Sequence, residues 1–168
     1  YNHTTLRKDL TAKGHRFTTS CDTEVLVHLW EEYGPKMANK LEGMFAFAIW
    51  DEESASAFLC RDRFGIKPLY YAQTQEGILW GSELPTLLAA GVASEVNLTA
   101  LNQYMTLSYV PTPRTLIDSI YKLPPGATAT VTTEGININR YYQLSLGSAN
   151  TGYSSNKVRS LLKNAVRK

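Results

Sequence analysis

The sequence has few cysteines, little net charge and no long hydrophobic run. Cys21 and Cys60 form no CxxC pair, and His3, His15 and His28 are not at ligand spacing with them, so no metal site is expected. The 17 basic residues are scattered among 15 acidic ones and leave a net charge of +2, which gives a nucleic-acid partner little support. No apolar run has the length of a membrane span and no signal peptide opens the chain. The expected location is therefore the cytoplasm, with both thiols reduced.

The composition suits about one folded domain. A chain of 168 residues with 43% hydrophobic content can bury a substantial core. It begins at Tyr1 instead of a methionine and ends in an amphipathic stretch, 156–168, that has no C-cap. We therefore expect a piece of a longer protein, cut at both ends. Sheet edges that a missing upstream segment would leave open are expected to favour self-association into a homo-oligomer.

Apolar side chains at helical spacing predict two helices in the first third of the chain. The first covers about residues 4–12 and is ended by Gly14, and a short strand is predicted directly after it at 15–19. The second begins near Asp22 and is stopped at Gly34, where a glycine followed by a proline cannot continue a helix.

Four apolar stretches follow and predict a four-stranded meander, whose first strand is expected to be covered on both faces. These stretches are 43–51, 54–62, 67–73 and 78–83. Two further helices are predicted at 84–91 and 98–107, the second capped by Asn97. The chain up to residue 107 therefore indicates one compact α/β unit.

The character of the sequence changes near residue 108. Prolines and an extended segment dominate at first, and alternating side chains then predict a β-hairpin with its turn at Glu134–Gly135. A polar linker rich in glycine and serine leads to the last helix. We therefore predict three parts: the compact unit 1–107, a Pro-rich connector with hairpin at 108–146, and a linker with the first helix of another unit at 147–168.

The stretch 60–71, CRDRFGIKPLYY, joins two of the predicted strands. Gly65 is free to adopt positive φ, and Pro68 fixes the chain where the next strand begins. One interpretation is that Arg61 and Asp62 tie down the carbonyls and amides of this connection and form a mutual ion pair. The other is that the stretch belongs to a family signature.

Seven motifs in this order resemble one known family. They are YNH (1–3), SCDTEV (20–25), LEGMFAFAIWD (41–51), CRDRFGIKPLYY (60–71), WGSELPTLL (80–88), YVPTPRTLIDSIYKLPPG (109–126) and RYYQL (140–144). With all seven in register, the chain is identified as a member of the class II glutamine amidotransferases and resembles the glutaminase half of a glutamine-dependent asparagine synthetase. The resemblance implies an α+β fold of Ntn-hydrolase type, an αββα sandwich of antiparallel sheets that is incomplete at its N-terminus. Residues 147–168 would then open the synthetase domain.

The chemistry that the resemblance implies is hydrolysis of the glutamine side-chain amide to glutamate and ammonia. In the family an N-terminal cysteine is the nucleophile, and its own α-amino group is the base. The ammonia passes to the synthetase domain of the same chain, where ATP and Mg²⁺ activate aspartate, and the glutaminase half needs no cofactor. Tyr1 stands where the chain begins, and the family's Asn-Gly-Glu and SGGxDS segments are absent. These 168 residues are therefore expected to hold no catalytic residue and to be inactive alone.

Asp22 is the residue that we carry over as functional. It matches the family's aspartate that binds the α-amino group of glutamine, where a carboxylate forms a charge-assisted hydrogen bond with an ammonium. An aspartate directly before a helix is also a preferred N-cap, and both roles can coexist. Asn2 is a weaker candidate for a supporting hydrogen bond at the active site, and a helix N-cap or a turn residue is the alternative.

Internal residues do not replace the missing nucleophile. Cys60 is expected to be buried and structural, and Cys21 has no base beside it in sequence. Glu24 is expected to be structural, in the first turn of its helix. The tryptophans at 30, 50 and 80 are expected in the core.

Two other functions remain open at this point. The chain could be the docking domain of an amide-forming enzyme that resembles the β-lactam synthetases and has no glutaminase activity. It could also be a non-enzymatic interaction module that uses its Pro-rich segment. The first residue of the mature protein distinguishes the favoured function from the docking domain, and glutamine affinity distinguishes it from the interaction module.

Overall fold

A computed structural model describes residues 1–145 and 154–167. The described residues form five α-helices, one 3-10 helix and seven strands. In chain order they are α1 (His3–Ala12), α2 (Glu24–Tyr33), the 3-10 helix (Gly34–Lys40), β1 (Ala46–Asp51), β2 (Ser56–Arg61), β3 (Tyr70–Thr74), β4 (Gly77–Gly81), α3 (Leu84–Ala89), α4 (Leu98–Leu107), β5 (Ile120–Lys122), β6 (Ala127–Thr132), β7 (Gly135–Arg140) and α5 (Ser155–Arg167). Among these residues, no helix is both long and apolar enough to cross a bilayer.

The strands form two antiparallel sheets. One sheet has four strands in the order β1-β2-β6-β7, and the other has three in the order β4-β3-β5. Every residue of β2 is buried, because successive side chains of a strand point to opposite faces and both faces here are covered. Phe58 and Cys60 pack against α1 and α2, while Ala57 and Leu59 pack toward the second sheet. The second sheet packs against α3 through Ala72 and Leu87. The layer order is helix, sheet, sheet, helix, as expected for an αββα sandwich.

The predicted meander is wrong. β1 and β2 pair as expected, but the chain then leaves the first sheet, and β3 and β4 begin the second one. The position beside β2 is taken by β6, from much later in the chain. The reason is the connection after β2: its tight turn, held by the side chains of Arg61 and Asp62, directs the chain into the second sheet.

Two burial predictions for the strands are also wrong. β1 lies at the edge of its sheet and is not covered on both faces; Trp50 on it is 60% exposed. Trp80 on β4 is 36% exposed, whereas Trp30 on α2 packs on Phe58 with ring centroids 4.8 Å apart. The apolar run alone could not show that only β2 has a layer on each side.

The strand predicted at 15–19 is not formed; these residues are an irregular connection between α1 and α2.

Arg61 and Asp62 hold the connection between the two sheets. Arg61 donates hydrogen bonds to the carbonyls of Gly65, Lys67 and Leu123 at 2.6–2.7 Å. The Asp62 carboxylate accepts from the amides of Phe64, Ile66 and Lys67 at 3.0–3.1 Å. The tie-down of carbonyls and amides is confirmed.

The mutual ion pair predicted for Arg61 and Asp62 is wrong: among the described residues, the ion pairs within 4 Å do not include these two. Both side chains are almost fully buried, so each needs hydrogen-bond partners, and the backbone of the turn supplies them. Gly65 adopts φ of 65° within this turn, as expected.

Several helix boundaries match the prediction. α1 ends just before Gly14, which has φ of 101°, and α2 ends at Gly34. The Asn97 side chain accepts from the amide of Ala100 and caps α4. The hairpin β6–β7 turns at residues 133–134, one position earlier than predicted, because Gly135 already pairs with Thr132.

The strands after residue 107 are hydrogen-bonded to strands before it. β5 pairs with β3, and β6 pairs with β2. The three-part division at 107 and 146 stays a prediction about domain boundaries. The predicted linker falls largely on residues 146–153, which lie outside the described residues, and α5 follows with its side chains exposed.

Candidate substrate-binding site

A cavity of about 130 Å³ lies where three segments meet: the start of α1, the start of α2 and the loop after the 3-10 helix. Its polar lining is Tyr1, Asn2, His3, Asp22, Thr23 and Glu42. Its apolar lining is Leu6, Val25, Leu26, Leu41, Met44 and Phe45. Both residues singled out from the sequence, Asp22 and Asn2, therefore lie on one cavity although 20 positions separate them.

Asp22 does not act as a helix cap in this structure. The N-cap of α2 is Thr23, and no side-chain capping bond is formed. The Asp22 backbone carbonyl accepts a hydrogen bond from the amide of Val25 at 3.2 Å. The Asp22 carboxylate is exposed at the cavity and accepts a hydrogen bond from the Cys21 thiol at 3.7 Å. The carboxylate is therefore available to a ligand.

Glu24 holds the loop that carries Asp22. Its two carboxylate oxygens accept from the amides and the hydroxyls of Thr18 and Thr19, at 2.6–2.9 Å. These hydrogen bonds stabilise the charged form and lower the pKa of Glu24 to about 2. The structural role expected for Glu24 is confirmed, and its partners are in the loop before its helix.

Arg7 on α1 fixes the same loop, a role that the sequence did not predict. Its guanidinium donates to the carbonyls of Thr19 and Cys21, both at 2.7 Å, and lies 3.9 Å from Glu24. The same group covers the ring of Phe17 at 4.2 Å from the centroid. An arginine in the middle of a surface helix carries no sequence signal for this contact, because its partners are backbone carbonyls 12 and 14 residues away.

Asn2 braces the opposite wall of the cavity. Its side-chain amide donates to the carbonyl of Lys40 at 2.9 Å, and its side-chain oxygen accepts from the amide of Glu42 at 3.1 Å. It occupies the N-cap position of α1, but its side chain forms no capping bond. The arrangement joins the start of α1 to the loop at 40–42, and the predicted role of Asn2 in a bound complex stays a prediction.

The titratable lining of the cavity favours a cationic ligand group. Asp22 and Glu42 contribute carboxylates, and His3 contributes an imidazole. Clefts lined by one sign of charge concentrate ligands of the other sign. The cavity therefore combines the exposed carboxylate of Asp22 with an apolar lining.

Neither cysteine has the surroundings of a nucleophile. Cys60 is fully buried in β2, and burial raises the pKa of its thiol far above the ordinary value. Cys21 is exposed, and its thiol donates to the carboxylate of Asp22 rather than to a histidine. The structural role expected for Cys60 is confirmed.

Comparison of the sequence with known protein families shows which family this chain belongs to. The model of the glutamine amidotransferase domain matches residues 1–142, which include the cavity and both sheets. The chain belongs to the glutamine amidotransferase domain family. Asparagine synthetase [glutamine-hydrolyzing] 1 of Bacillus subtilis is 40% identical over 144 residues, which are 85% of this chain and 23% of the relative. Asparagine synthetase [glutamine-hydrolyzing] 3 of the same organism is 36% identical over 170 residues, 99% of this chain and 28% of the relative.

Two solved structures share the fold. The glutamine phosphoribosylpyrophosphate amidotransferase of B. subtilis matches with a TM-score of 0.55 at 21% identity, over 87% of this chain and 27% of that one. The allosteric regulatory enzyme of purine biosynthesis matches with a TM-score of 0.60 at 22% identity, over 87% and 27%. These neighbours confirm the Ntn-hydrolase-type sandwich of this amidotransferase domain. The chain spans about a quarter of the length of the curated relatives it matches.

Proposed function

We propose that the protein carrying this chain is a glutamine-hydrolysing asparagine synthetase and that residues 1–142 belong to its glutaminase domain. The observation that carries the proposal is the position of Asp22. Its carboxylate is free of any capping role and lines a cavity within the segment that the amidotransferase family model covers. The identity of 36–40% with two asparagine synthetases supports this function over a docking domain or an interaction module.

In the proposed site, Asp22 binds the α-ammonium group of L-glutamine. A carboxylate and an ammonium form a charge-assisted hydrogen bond, which is about twice as strong as a neutral one. Arg7 and Glu24 fix the loop before Asp22, and Asn2 fixes the loop at 40–42. The substrate is then held in the orientation that the reaction needs. Such positioning is how a binding site raises the rate of a displacement reaction.

The reaction itself uses groups outside these 168 residues. A cysteine thiolate attacks the side-chain amide carbon, ammonia leaves, and water hydrolyses the resulting thioester to glutamate. Backbone amides stabilise the negative oxygen of each tetrahedral intermediate. Within the chain, the two cysteines do not fit the nucleophile's role, since Cys60 is buried and Cys21 is hydrogen-bonded to Asp22.

The ammonia is used in the synthetase half of the same protein. That half would bind ATP and Mg²⁺, which would supply the activation of the aspartate side-chain carboxyl, and ammonia would then replace the activated group to give asparagine. The glutaminase half needs no cofactor for its own step. We place the protein in the cytoplasm, where these substrates are available.

The experiment that tests this function uses the whole protein that carries the chain. It is incubated with glutamine labelled with ¹⁵N at the side-chain amide, aspartate, ATP and Mg²⁺, and the products are followed by mass spectrometry. We expect asparagine with the label in its amide and one glutamate for each asparagine. Asparagine formed only from added ammonium, without glutamate release, would identify the domain as a docking unit and contradict the proposal.

A further inference from the structure

Three potential metal-binding atoms meet where α1 connects to α2. His15 lies in the connection, and His28 and Glu31 lie one turn apart on α2. The Nδ1 atoms of His15 and His28 are 3.2 Å apart. The Oε2 atom of Glu31 lies 2.9 Å from Nδ1 of His28 and 3.2 Å from Nδ1 of His15. The three atoms therefore form a nearly regular triangle.

The dimensions of this triangle match one face of a metal coordination sphere. Ligand atoms about 2.0–2.1 Å from a tetrahedral zinc ion are separated from each other by roughly 3.3 Å. Two imidazoles bound in this way have ring centroids about 5 Å apart, and the centroids of His15 and His28 are 4.9 Å apart. A point above the centre of this triangle lies about 2 Å from all three atoms, the length of a bond from zinc to nitrogen or oxygen.

The surrounding contacts hold both imidazole rings in place. The other nitrogen of His15, Nε2, faces Oε1 of Glu32 at 3.1 Å. The second oxygen of Glu32 is held by Lys13 at 2.6 Å. A carboxylate that accepts from one imidazole nitrogen leaves the lone pair on the other nitrogen, which is the usual arrangement behind a metal-bound histidine. The ring of Phe17 packs edge-on against His28 at 4.5 Å and fixes that ring as well.

The exposure of the three side chains leaves room for a fourth ligand. The side chains of His15 and His28 are each 15% exposed, whereas that of Glu31 is 53% exposed. Glu31 therefore closes the solvent side of the triangle, and water can complete the coordination. Two imidazoles and one carboxylate are a donor set that binds zinc.

We propose that His15, His28 and Glu31 bind one divalent transition-metal ion, with Zn²⁺ as the best fit. The ion would fasten the irregular connection at 13–17 to α2. The three ligands lie outside the lining of the Asp22 cavity, so the site is separate from the proposed glutaminase chemistry. It departs from the expectation of no metal site. That expectation was based on the spacing between histidines and cysteines along the sequence. The fold instead brings together two histidines that are 13 residues apart.

The test is zinc binding by the whole protein that carries the chain, freed of metal with a chelator and titrated with ZnCl₂ in competition with a chromophoric chelator. We expect one ion per chain. Glu31→Gln removes the exposed carboxylate ligand without disturbing the fold, and His28→Gln removes a nitrogen ligand. We expect each to weaken zinc binding at least about 10-fold, with unchanged circular dichroism for Glu31→Gln. Co²⁺ in place of Zn²⁺ should give the strong visible absorption of a four-coordinate site in the unmodified chain, and Glu31→Gln should reduce it.

Two controls locate the ion. His3→Gln and Cys21→Ser remove potential ligands on the cavity side of the molecule, and we expect both to bind zinc as the unmodified chain does. The proposal is overturned if zinc does not bind at one ion per chain, because the triangle is then only a hydrogen-bonded cluster. It is also overturned if Cys21→Ser weakens binding while Glu31→Gln does not, because the ion then lies elsewhere.

Discussion

Glu24 shows how one side chain positions the candidate site without contacting the cavity. It receives four hydrogen bonds from Thr18 and Thr19, and these lower its pKa from 4.5 to about 2. Because the pKa is lower in the folded state, the charged form stabilises the fold at every pH above about 4.5. This contribution is lost as the pH falls from about 4.5 to about 2.

Glu24→Gln should therefore destabilise the chain most at neutral pH. An uncharged amide has one acceptor oxygen in place of two, so it cannot satisfy the four donors of Thr18 and Thr19. We expect the urea midpoint of the variant to fall below that of the unmodified chain at pH 7, and the difference to shrink toward pH 2. Urea unfolding at both pH values measures it.

The matched control for this prediction is Glu53→Gln, in the exposed turn between β1 and β2. It removes the same charge from the chain but breaks none of the four hydrogen bonds of Glu24. We expect little change in the midpoint at either pH. An equal effect of the two substitutions would show that net charge, and not the loop contacts, determines the pH dependence.

The sequence identified some of these residues and missed others for physical reasons. Asp22 and Glu24 could be found because they belong to one short motif, SCDTEV. Arg7 could not, since its partners are carbonyls of a loop that no local pattern predicts. His15 and His28 meet only because α1 and α2 pack against each other, and a single sequence does not give that packing.

At the scale of elements, the connection from β2 to β3 determines the topology. Asp62 is 1% exposed and accepts from three amides of the turn. Its own carbonyl accepts from Gly126, the residue before β6. The turn is therefore joined both to the start of the second sheet and to the strand that replaces the expected hairpin partner of β2.

Asp62→Ala should be strongly destabilising. It removes a buried acceptor from three amides of the turn, and each unsatisfied group that water cannot reach costs roughly 1–3 kcal/mol. We expect a loss of about 3 kcal/mol or more in the free energy of unfolding, measured by denaturant titration.

Asp51→Ala is the control for Asp62→Ala. Asp51 also accepts hydrogen bonds in a turn, from the amide of Glu53 and the hydroxyl of Ser54, but its turn faces solvent and water can replace it. We expect a loss of about 1 kcal/mol or less. Equal losses for the two variants would contradict the structural importance of the β2–β3 connection.

Element types could be predicted from the sequence much better than their pairing. Gly14, Gly34 and Asn97 end or begin helices as expected, because capping depends on local chemistry. The meander failed because strand pairing depends on contacts between distant segments. β2 pairs with β6 more than 60 positions later, for example Leu59 with Ala129.

At the scale of the whole molecule, the hairpin β6–β7 is part of the first sheet. Ala129 on β6 is fully buried, pairs with Leu59 on one side and with Ile138 on the other, and packs in the core between the sheets. The layered sandwich could be expected from the family resemblance, but the composition and periodicity of the hairpin gave no sign that it lies in the core.

Ala129→Asp should therefore prevent stable folding. The substitution places an unpaired charge in the core between the two sheets, and we expect a loss of more than about 4 kcal/mol. Thermal unfolding and the soluble yield measure it. Asn137→Asp adds the same charge on the exposed part of β7, and we expect it to have little effect. A stable Ala129→Asp variant would show that the hairpin is an independent appendage.

The central claim is that the carboxylate of Asp22 recognises the α-ammonium group of glutamine. The most direct measurement is kcat/KM of the whole protein for L-glutamine and for glutaramate, which lacks the α-amino group, in the unmodified enzyme and in Asp22→Asn. We expect Asp22→Asn to lower kcat/KM for glutamine by roughly 10–100-fold, the value of a hydrogen bond to a charged group. It should change the value for glutaramate little and leave ammonium-dependent asparagine formation intact. Equal losses for both substrates, or no loss for glutamine, would contradict the assignment.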